Sequence, residues 1–204
     1  KQKQIDNNDR EKLEVIYRNA NRMNYLINEL LTFSKIEMKQ MRISVRKGDI
    51  MHFLEELSHI FDIVAGEREI DFIVNLEDTE EEVWFSPSKL ERILYNLLSH
   101  AFKYTQPGGY VKLSAKLIKE EKGTFVQISV KDNGRGIPKE AQEQIFESYY
   151  QVEKRDHREG FGLGLSLTRS LIHMHKGEIR VESEINKGSD FIVTLNVSED
   201  AYGP

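Results

Sequence analysis

Asp132-Asn133-Gly134-Arg135-Gly136-Ile137-Pro138 and Gly160-Phe161-Gly162-Leu163-Gly164-Leu165 decide how this chain is read. The first follows an alternating run, Thr124 to Val130, so it reads as a glycine turn at the end of a strand. The second runs straight into an apolar helical pattern from about Leu163 to His175. Glycine carries no Cβ, so a ligand can approach its backbone closely. The free N–H groups at the start of a helix make a ready anion site. Two such clusters, the first led by a carboxylate, point to a nucleotide.

Working outward, the chain alternates helical and extended patterns. Arg42 to Arg46 alternates like a strand. Asp49 caps an amphipathic helix through about Gly66. Ile70 to Val74 and Val83 to Phe85 read as strands. Ser86-Pro87 places serine at an N-cap and proline at N1. The helix it opens carries Leu90, Ile93, Leu94, Leu97, Leu98, Ala101 and Phe102 and ends before Pro107-Gly108-Gly109. Val111 to Ile118 and Thr124 to Val130 flank Glu121-Lys122-Gly123 as a hairpin, and a short helix follows Pro138. Ile179 to Glu184 and Asp190 to Val197 make a second hairpin around Asn186-Lys187-Gly188. The expected fold is α+β: a two-layer sandwich with a mixed, largely antiparallel sheet and helices on one face.

One long helix precedes this domain, from about Asp9 to Ile36, with Asn8 and Glu11 as a capping box. Leu13, Ile16, Ala20, Met23, Ile27 and Leu30 recur at spacings of three and four, a heptad seam. Tyr17, Leu26, Leu31 and Phe33 widen the face toward a helix bundle. Such a stripe needs a cover, either a partner helix or the chain's own globular domain. The expected division is 1–38 for this helix and 39–204 for the domain.

Composition excludes several classes. The chain has 204 residues, 31% of them charged, with a net charge of −5, which gives no electrostatic reason to bind nucleic acid. No apolar run is long enough to cross a bilayer, so no membrane contact is expected of these residues. There are no cysteines, hence no disulfide and no thiolate zinc site. The abrupt ends, Lys1 and Tyr202-Gly203-Pro204, read as those of a piece of something longer.

The helix from Lys89 to Tyr104 adds a polar stripe. Asn96, His100 and Lys103 are spaced four and three apart, opposite the apolar face. An amide, an imidazole and an ammonium in a row suit a metal-bound polyphosphate, although alone they read as a solvated face. Asp132, at a strand end, suits an adenine N6 amine as an acceptor and would select adenine over guanine. Gly160, Gly162 and Gly164 also resemble part of a dinucleotide fingerprint, but that needs a preceding strand. Residues 153–159 are a charged loop instead, and no Gly-x-x-x-x-Gly-Lys-Ser/Thr run occurs.

In this order the segments resemble the ATP-binding domain of sensor histidine kinases, in the superfamily that includes gyrase and MutL. Leu90 to Thr105 is similar to the family's N box, Asp132 to Ile137 to its G1 box, Ile145 to Tyr150 to its F box and Gly160 to Leu165 to its G2 box. The long helix, ending Leu30-Leu31-Thr32-Phe33-Ser34-Lys35-Ile36-Glu37, resembles the second helix of the dimerisation and phosphoacceptor hairpin. None of His52, His59, His100, His157, His173 and His175 has the context of the family's phosphoacceptor, so that histidine is expected to lie outside this chain.

The resemblance implies a protein-histidine kinase module using ATP and Mg²⁺. Asp132 would read adenine, with Gly134, Gly136 and Ile137 shaping the pocket wall. Asn96 and His100 would stand at the metal, Lys103 at phosphate and Tyr104 beside the nucleotide. Tyr149 to Glu159 would form a lid, with Phe146 and Tyr149 packed at its base and Arg155 and Arg158 reaching phosphate. Gly160, Gly162, Leu163 and Gly164 would hinge the lid and offer N–H groups. The implied partners are a response regulator and a second copy through the helices, in a parent anchored at a bacterial inner membrane.

Two positions depart from the family. His100 stands where a second asparagine is usual, and Phe161 where a small threonine is common. Magnesium prefers oxygen ligands, so a neutral imidazole is a poor replacement and a protonated one would meet phosphate instead. Weakened or altered Mg²⁺–ATP binding is expected, and a degenerate nucleotide-sensing or scaffold module is the alternative reading. An ATP-driven clamp is disfavoured, since its general-base glutamate would stand at Asn96, and an anti-sigma-factor serine kinase is disfavoured by the leading bundle helix and the same Asn96.

Overall fold

The computed structural model describes residues 7–38, 40–79, 81–150 and 162–202. In chain order these form α1 (Asn7–Glu37), β1 (Arg46–Asp49), α2 (Ile50–Ser58), α3 (Ile60–Arg68), β2 (Asp71–Leu76), β3 (Glu82–Phe85), α4 (Pro87–Tyr104), β4 (Tyr110–Glu120), β5 (Gly123–Asp132), α5 (Gly164–Met174), β6 (Glu178–Glu184) and β7 (Gly188–Asn196). Single 3₁₀ turns lie at Lys139–Ala141, Gln144–Phe146 and Glu199–Ala201. The expected sandwich is present: a five-stranded sheet in the order β2-β4-β5-β7-β6, antiparallel except for the parallel β2–β4 pair. β1 and β3 pair separately.

Alternation sets the inner face of the sheet. Val111, Leu113 and Ala115 of β4, Val126, Ile128 and Val130 of β5 and Phe191, Val193 and Leu195 of β7 are buried. They meet Leu90, Ile93, Leu94, Leu97, Leu98, Ala101 and Phe102 of α4 and Leu167, Leu171 and Ile172 of α5 in one core. Each such side chain contributes roughly 1.5–3 kcal/mol by leaving water, so a one-residue slip of β5 would forfeit several of these at once.

Local readings needed four corrections. The strand expected over 42–46 lies at Arg46–Asp49, where pairing to β3 provides partners. The helix after Asp49 breaks at His59 into α2 and α3, and Asp49 does cap it, accepting from the His52 N–H at 2.9 Å. Asn8 lies inside α1 rather than before it. Ser86 occupies the N-cap of α4 but its side chain makes no capping bond, and its buried Oγ has no hydrogen-bond partner.

α1 uses two faces. Leu13, Ile16, Met23, Ile27 and Leu30 are about half exposed or more, at 52%, 62%, 65%, 48% and 52%. The described seam is therefore not covered by the chain's own domain. Near its C-terminal end the helix does touch that domain: Arg92 Nη1 donates to Thr32 Oγ1 at 2.9 Å, and the Phe33 ring meets Tyr149 edge-on at 6.4 Å.

His175, fully buried at the end of α5, ties distant segments together. Its Nδ1 lies 3.0 Å from the Leu171 carbonyl and its Nε2 accepts from the Ser86 N–H at 3.3 Å. Ser86 N–H is a donor, so Nε2 carries no proton and Nδ1–H donates to Leu171. Burial, the largest cause, holds its pKa below the ordinary value, with Lys89 adding to it and the Leu171 bond opposing. His175→Phe keeps a ring but orphans the Ser86 N–H. Urea denaturation should show a loss of about 1–3 kcal/mol, the cost of an unsatisfied buried donor; an unchanged midpoint would show that the link carries no stability.

Candidate functional site

The buried row of β5 runs Val126, Ile128, Val130 and then Asp132, which is 4% exposed. A carboxylate thus continues an apolar row on the core side. Its Oδ1 accepts from the Gly134 N–H at 2.8 Å, and the Ser189 backbone also bonds to it. Burial raises its pKa, the two backbone bonds oppose this and nearby Asp190 adds to it. The group is a buried acceptor at the mouth of a turn.

The turn needs its glycines. A Cβ on Gly134 would run into the Tyr104 carbonyl at the end of α4. Gly136 has a φ of 71° and packs against the backbone of Glu184 at the β6–β7 hairpin. Ile137, buried, donates its N–H to Ser183 Oγ at 2.8 Å. The turn is therefore clamped between α4 and that hairpin, with Asp132 beneath it.

α4 supplies the other wall. Asn96 Nδ2 donates to the Gly164 carbonyl at 3.3 Å and to Thr168 Oγ1 at 3.1 Å. Thr168 itself donates to the same carbonyl at 2.9 Å. A carbonyl only accepts, so the amide nitrogen must face α5, and the oxygen end carries whatever metal chemistry Asn96 has. Leu163, buried, precedes Gly164, the first residue of α5.

His100 is half-buried among rings. Its centroid lies 4.6 Å from that of Tyr104 and 5.9 Å from that of Phe191. The Tyr104 ring also carries two cations, Arg135 Cζ at 4.2 Å and Lys103 Nζ at 4.9 Å from its centroid. Burial first, then the charges of Lys103 and Arg135, push the His100 pKa down to about 4. A pKa this low favours the neutral imidazole near pH 7.

Of the expected residues, the structure brings Asp132, Gly134, Gly136 and Ile137 together in one turn, with Gly134 against the Tyr104 carbonyl and Gly136 and Ile137 against the β6–β7 hairpin. Asn96 joins Gly164, and Lys103 and His100 meet at Tyr104. Phe146 is buried against Phe191, whereas Tyr149 is 60% exposed and meets Phe33. Tyr149 N–H donates to the Gly162 carbonyl at 3.0 Å. Arg155, Arg158 and Gly160, like Phe161, lie outside the described residues. Sequence reasoning missed Thr168, which sits one helical turn after Gly164, and the stacking of Arg135. A charged residue inside a glycine cluster was the signal that could have found the latter. Among the described residues no group of three or more His, Cys, Asp or Glu side chains forms a metal cage.

Residues 85–199 match the model of the family described as "Histidine kinase-, DNA gyrase B-, and HSP90-like ATPase". The chain is 34% identical to Histidine kinase P4 of Formosa agariphila over 189 residues, 90% of this chain and 14% of that protein. It is also 34% identical to the sensor histidine kinase WalK of Bacillus subtilis over 190 residues, 92% of this chain and 31% of that one. The chain thus spans less than a third of the length of these two relatives. In fold it resembles full-length ShkA, solved in complex with AMPPNP, with a TM-score of 0.83 and 24% identity over 96% of this chain and 40% of that one.

The His100 environment predicts a pH dependence. The unfolded chain takes up this proton near pH 6.5, the folded one only near 4. Its contribution to stability is therefore complete above 6.5 and lost as pH falls toward 4. His175 acts in the same sense, and the raised Asp132 in the opposite one. Comparison with His100→Phe isolates the first: urea midpoints measured between pH 7 and 4.5 should fall less steeply in the variant. Equal slopes would show that His100 is charged in the fold.

Proposed function

The chain belongs to the histidine kinase-, DNA gyrase B- and HSP90-like ATPase family, and from that premise we propose that it binds ATP and presents the γ-phosphate to a histidine outside this chain. The observation that carries this is Asp132, a buried carboxylate at the end of an apolar row, held at the mouth of a glycine turn. A buried acceptor there pairs with an exocyclic amine, and adenine offers one where guanine offers a carbonyl. The bare backbone of Gly134 and Gly136 and the side chain of Ile137 shape the wall beside it. Similarity to named histidine kinases supports the activity, and the fold shared with a protein solved with AMPPNP supports the ligand class.

The phosphate side is built from charge and N–H groups. α5 begins at Gly164, so its first amides and its dipole favour an anion. Lys103 adds a point charge, and Arg155 and Arg158 are assigned to the same end. The residues suit Mg²⁺ in the way that ion is usually held, by phosphate oxygens, water and one or two protein oxygens rather than a full cage. The Asn96 amide oxygen is the protein ligand we assign. His100, its ring tilted against that of Tyr104, lines the pocket beside it. When bound, the metal would neutralise charge on the polyphosphate, while the chain's own residues orient it for in-line transfer.

Residues 1–38 are assigned to the second helix of a dimerisation hairpin and 39–204 to the catalytic domain. The open seam of α1 supports pairing with helices of a second copy. Similarity to a sensor histidine kinase supports relay to a response regulator, and we place the chain on the inner side of a bacterial membrane in a longer sensor. No helix among the described residues is itself long and apolar enough to cross a membrane.

Labelled ATP incubated with this chain and a separately supplied histidine-bearing dimerisation domain should label that domain with an acid-labile phosphate. Release of inorganic phosphate without labelled acceptor would overturn the transfer. By calorimetry, Asp132→Asn should weaken ATP at least about tenfold, the worth of a charge-assisted bond, and leave GTP unchanged. Equal losses for both would remove Asp132 from base recognition. His100→Asn supplies a second oxygen and should tighten Mg²⁺–ATP relative to metal-free ATP; an unchanged ratio would show that position 100 does not reach the metal.

A further inference from the structure

The sheet edge two strands from β5 is open. β2 pairs with β4 on one side and ends the sheet on the other. Its ladder is parallel: the Asp71 N–H donates to Gly109 and the Glu77 N–H to Ala115, both at 2.9 Å. In a parallel ladder alternate residues direct both backbone groups to the same neighbour. The odd-numbered residues therefore serve β4, while Phe72, Val74 and Leu76 turn their amides and carbonyls away from it. Natural edge strands are guarded by proline, lysine or bulges. Asp71–Leu76 contains neither proline nor lysine, and its register with β4 runs without a bulge. Ile73 and Val74 are 45% and 38% exposed.

α2 and the start of α3 stand beside this edge and close a cleft of about 540 Å³, lined along β2 from Val74 to Glu77. Its lining includes the carboxylates of Asp49, Glu55, Asp62, Glu77 and Asp78 and no lysine or arginine. Asp49 is engaged as the cap of α2, and Glu77 accepts from the Leu117 N–H at 2.6 Å. Glu55 and Asp62 have side chains 59% exposed, near His52 at 4.0 Å and His59 at 3.0 Å.

We infer that this edge and cleft dock a basic, extended segment of a partner protein. The segment adds as a strand beside β2, with lysine or arginine side chains set against Glu55, Asp62 and Asp78. Main-chain bonds to Val74 and Leu76 supply affinity, and the acidic wall supplies the choice of partner. Charge selects this occupant over a second copy of the chain, since pairing two β2 edges would bring both sets of carboxylates together. The wall is too polar for an apolar helix. The inference does not depend on the nucleotide site.

The test uses the whole chain labelled with ¹⁵N and a seven-residue peptide of alternating lysine and valine. Saturable binding is expected, with amide shifts confined to Phe72–Glu77 and to the α2–α3 wall. The double variant Glu55→Lys, Asp62→Lys changes two exposed side chains and should fold normally, which its spectrum checks. It should bind at least about tenfold more weakly, as expected when exposed ion pairs become repulsive. The same peptide with its central valine replaced by proline cannot continue the ladder and should not bind. Binding that survives the proline would be adsorption of a polycation and overturns strand addition; binding that survives the charge reversal overturns the acidic wall as the selector of the partner. Shifts centred elsewhere, or no binding at millimolar peptide, overturn the site.

Discussion

A carboxylate at the end of an apolar row is the constraint on which this molecule is arranged. Asp132 holds the inward parity of β5, so it enters the core side of the sheet whether or not water can follow. An isolated buried carboxylate is costly. Here the Gly134 and Ser189 N–H groups offset that cost, and burial still leaves the pKa raised. Those two donors come from the turn after β5 and from β7. The acid can be kept only if turn and hairpin close on it together. Gly134, Gly136 and Gly188 are where they close, and at each a Cβ would strike backbone.

The opposite wall depends on a second economy of polar groups. Asn96 gives its donor end to α5, and Thr168 shares the same carbonyl, so the start of α5 is fixed relative to α4 without a charged pair. Cations stand on the outer side, Lys103 and Arg135 both over Tyr104. Their fields act on His100 and, with burial, keep it neutral. One ring thus gathers the positive charge of this end, with the imidazole tilted against it. An asparagine at position 100 would add a second amide beside Asn96; the imidazole adds ring surface against Tyr104 and Phe191 instead.

The apolar face of α4, both hairpins and the order of the glycine clusters are legible in the sequence because they are local patterns, and local patterns survive folding when they agree with burial. The readings that failed depended on partners distant in sequence. Arg42 to Arg46 alternates, but the strand forms at Arg46–Asp49 because β3 pairs there. No breaker in the sequence marks the helix break at His59. The bond from Ser86 to His175 joins residues 89 apart, so no window of sequence contains it. The chemistry of His100 is hidden from the sequence for the same reason. Its pKa is lowered first by burial, then by Lys103, one turn away, and by Arg135, which arrives only when the β5 turn folds back on α4.

The long helix shows why the two readings of its apolar stripe are not alternatives. At roughly 100° per residue, Leu13, Ile16, Ala20, Met23, Ile27 and Leu30 fall on one side of α1. Glu29, Thr32, Phe33 and Ile36 fall on the other, on the order of 150° away by the same rule. The second set includes the contacts to the domain: Thr32 with Arg92, Phe33 with Tyr149, Glu29 buried and Ile36 against the core. A helix that spent its seam on its own domain would have nothing left for a partner. This one anchors by a short polar-aromatic patch near its C-terminal end and keeps the seam on the far side. The same patch reaches Tyr149, whose N–H donates to the Gly162 carbonyl, and Glu29 lies beside Gly164, so the helix is seated against the start of α5. The open seam and the start of α5 are therefore joined through one helix by its opposite faces.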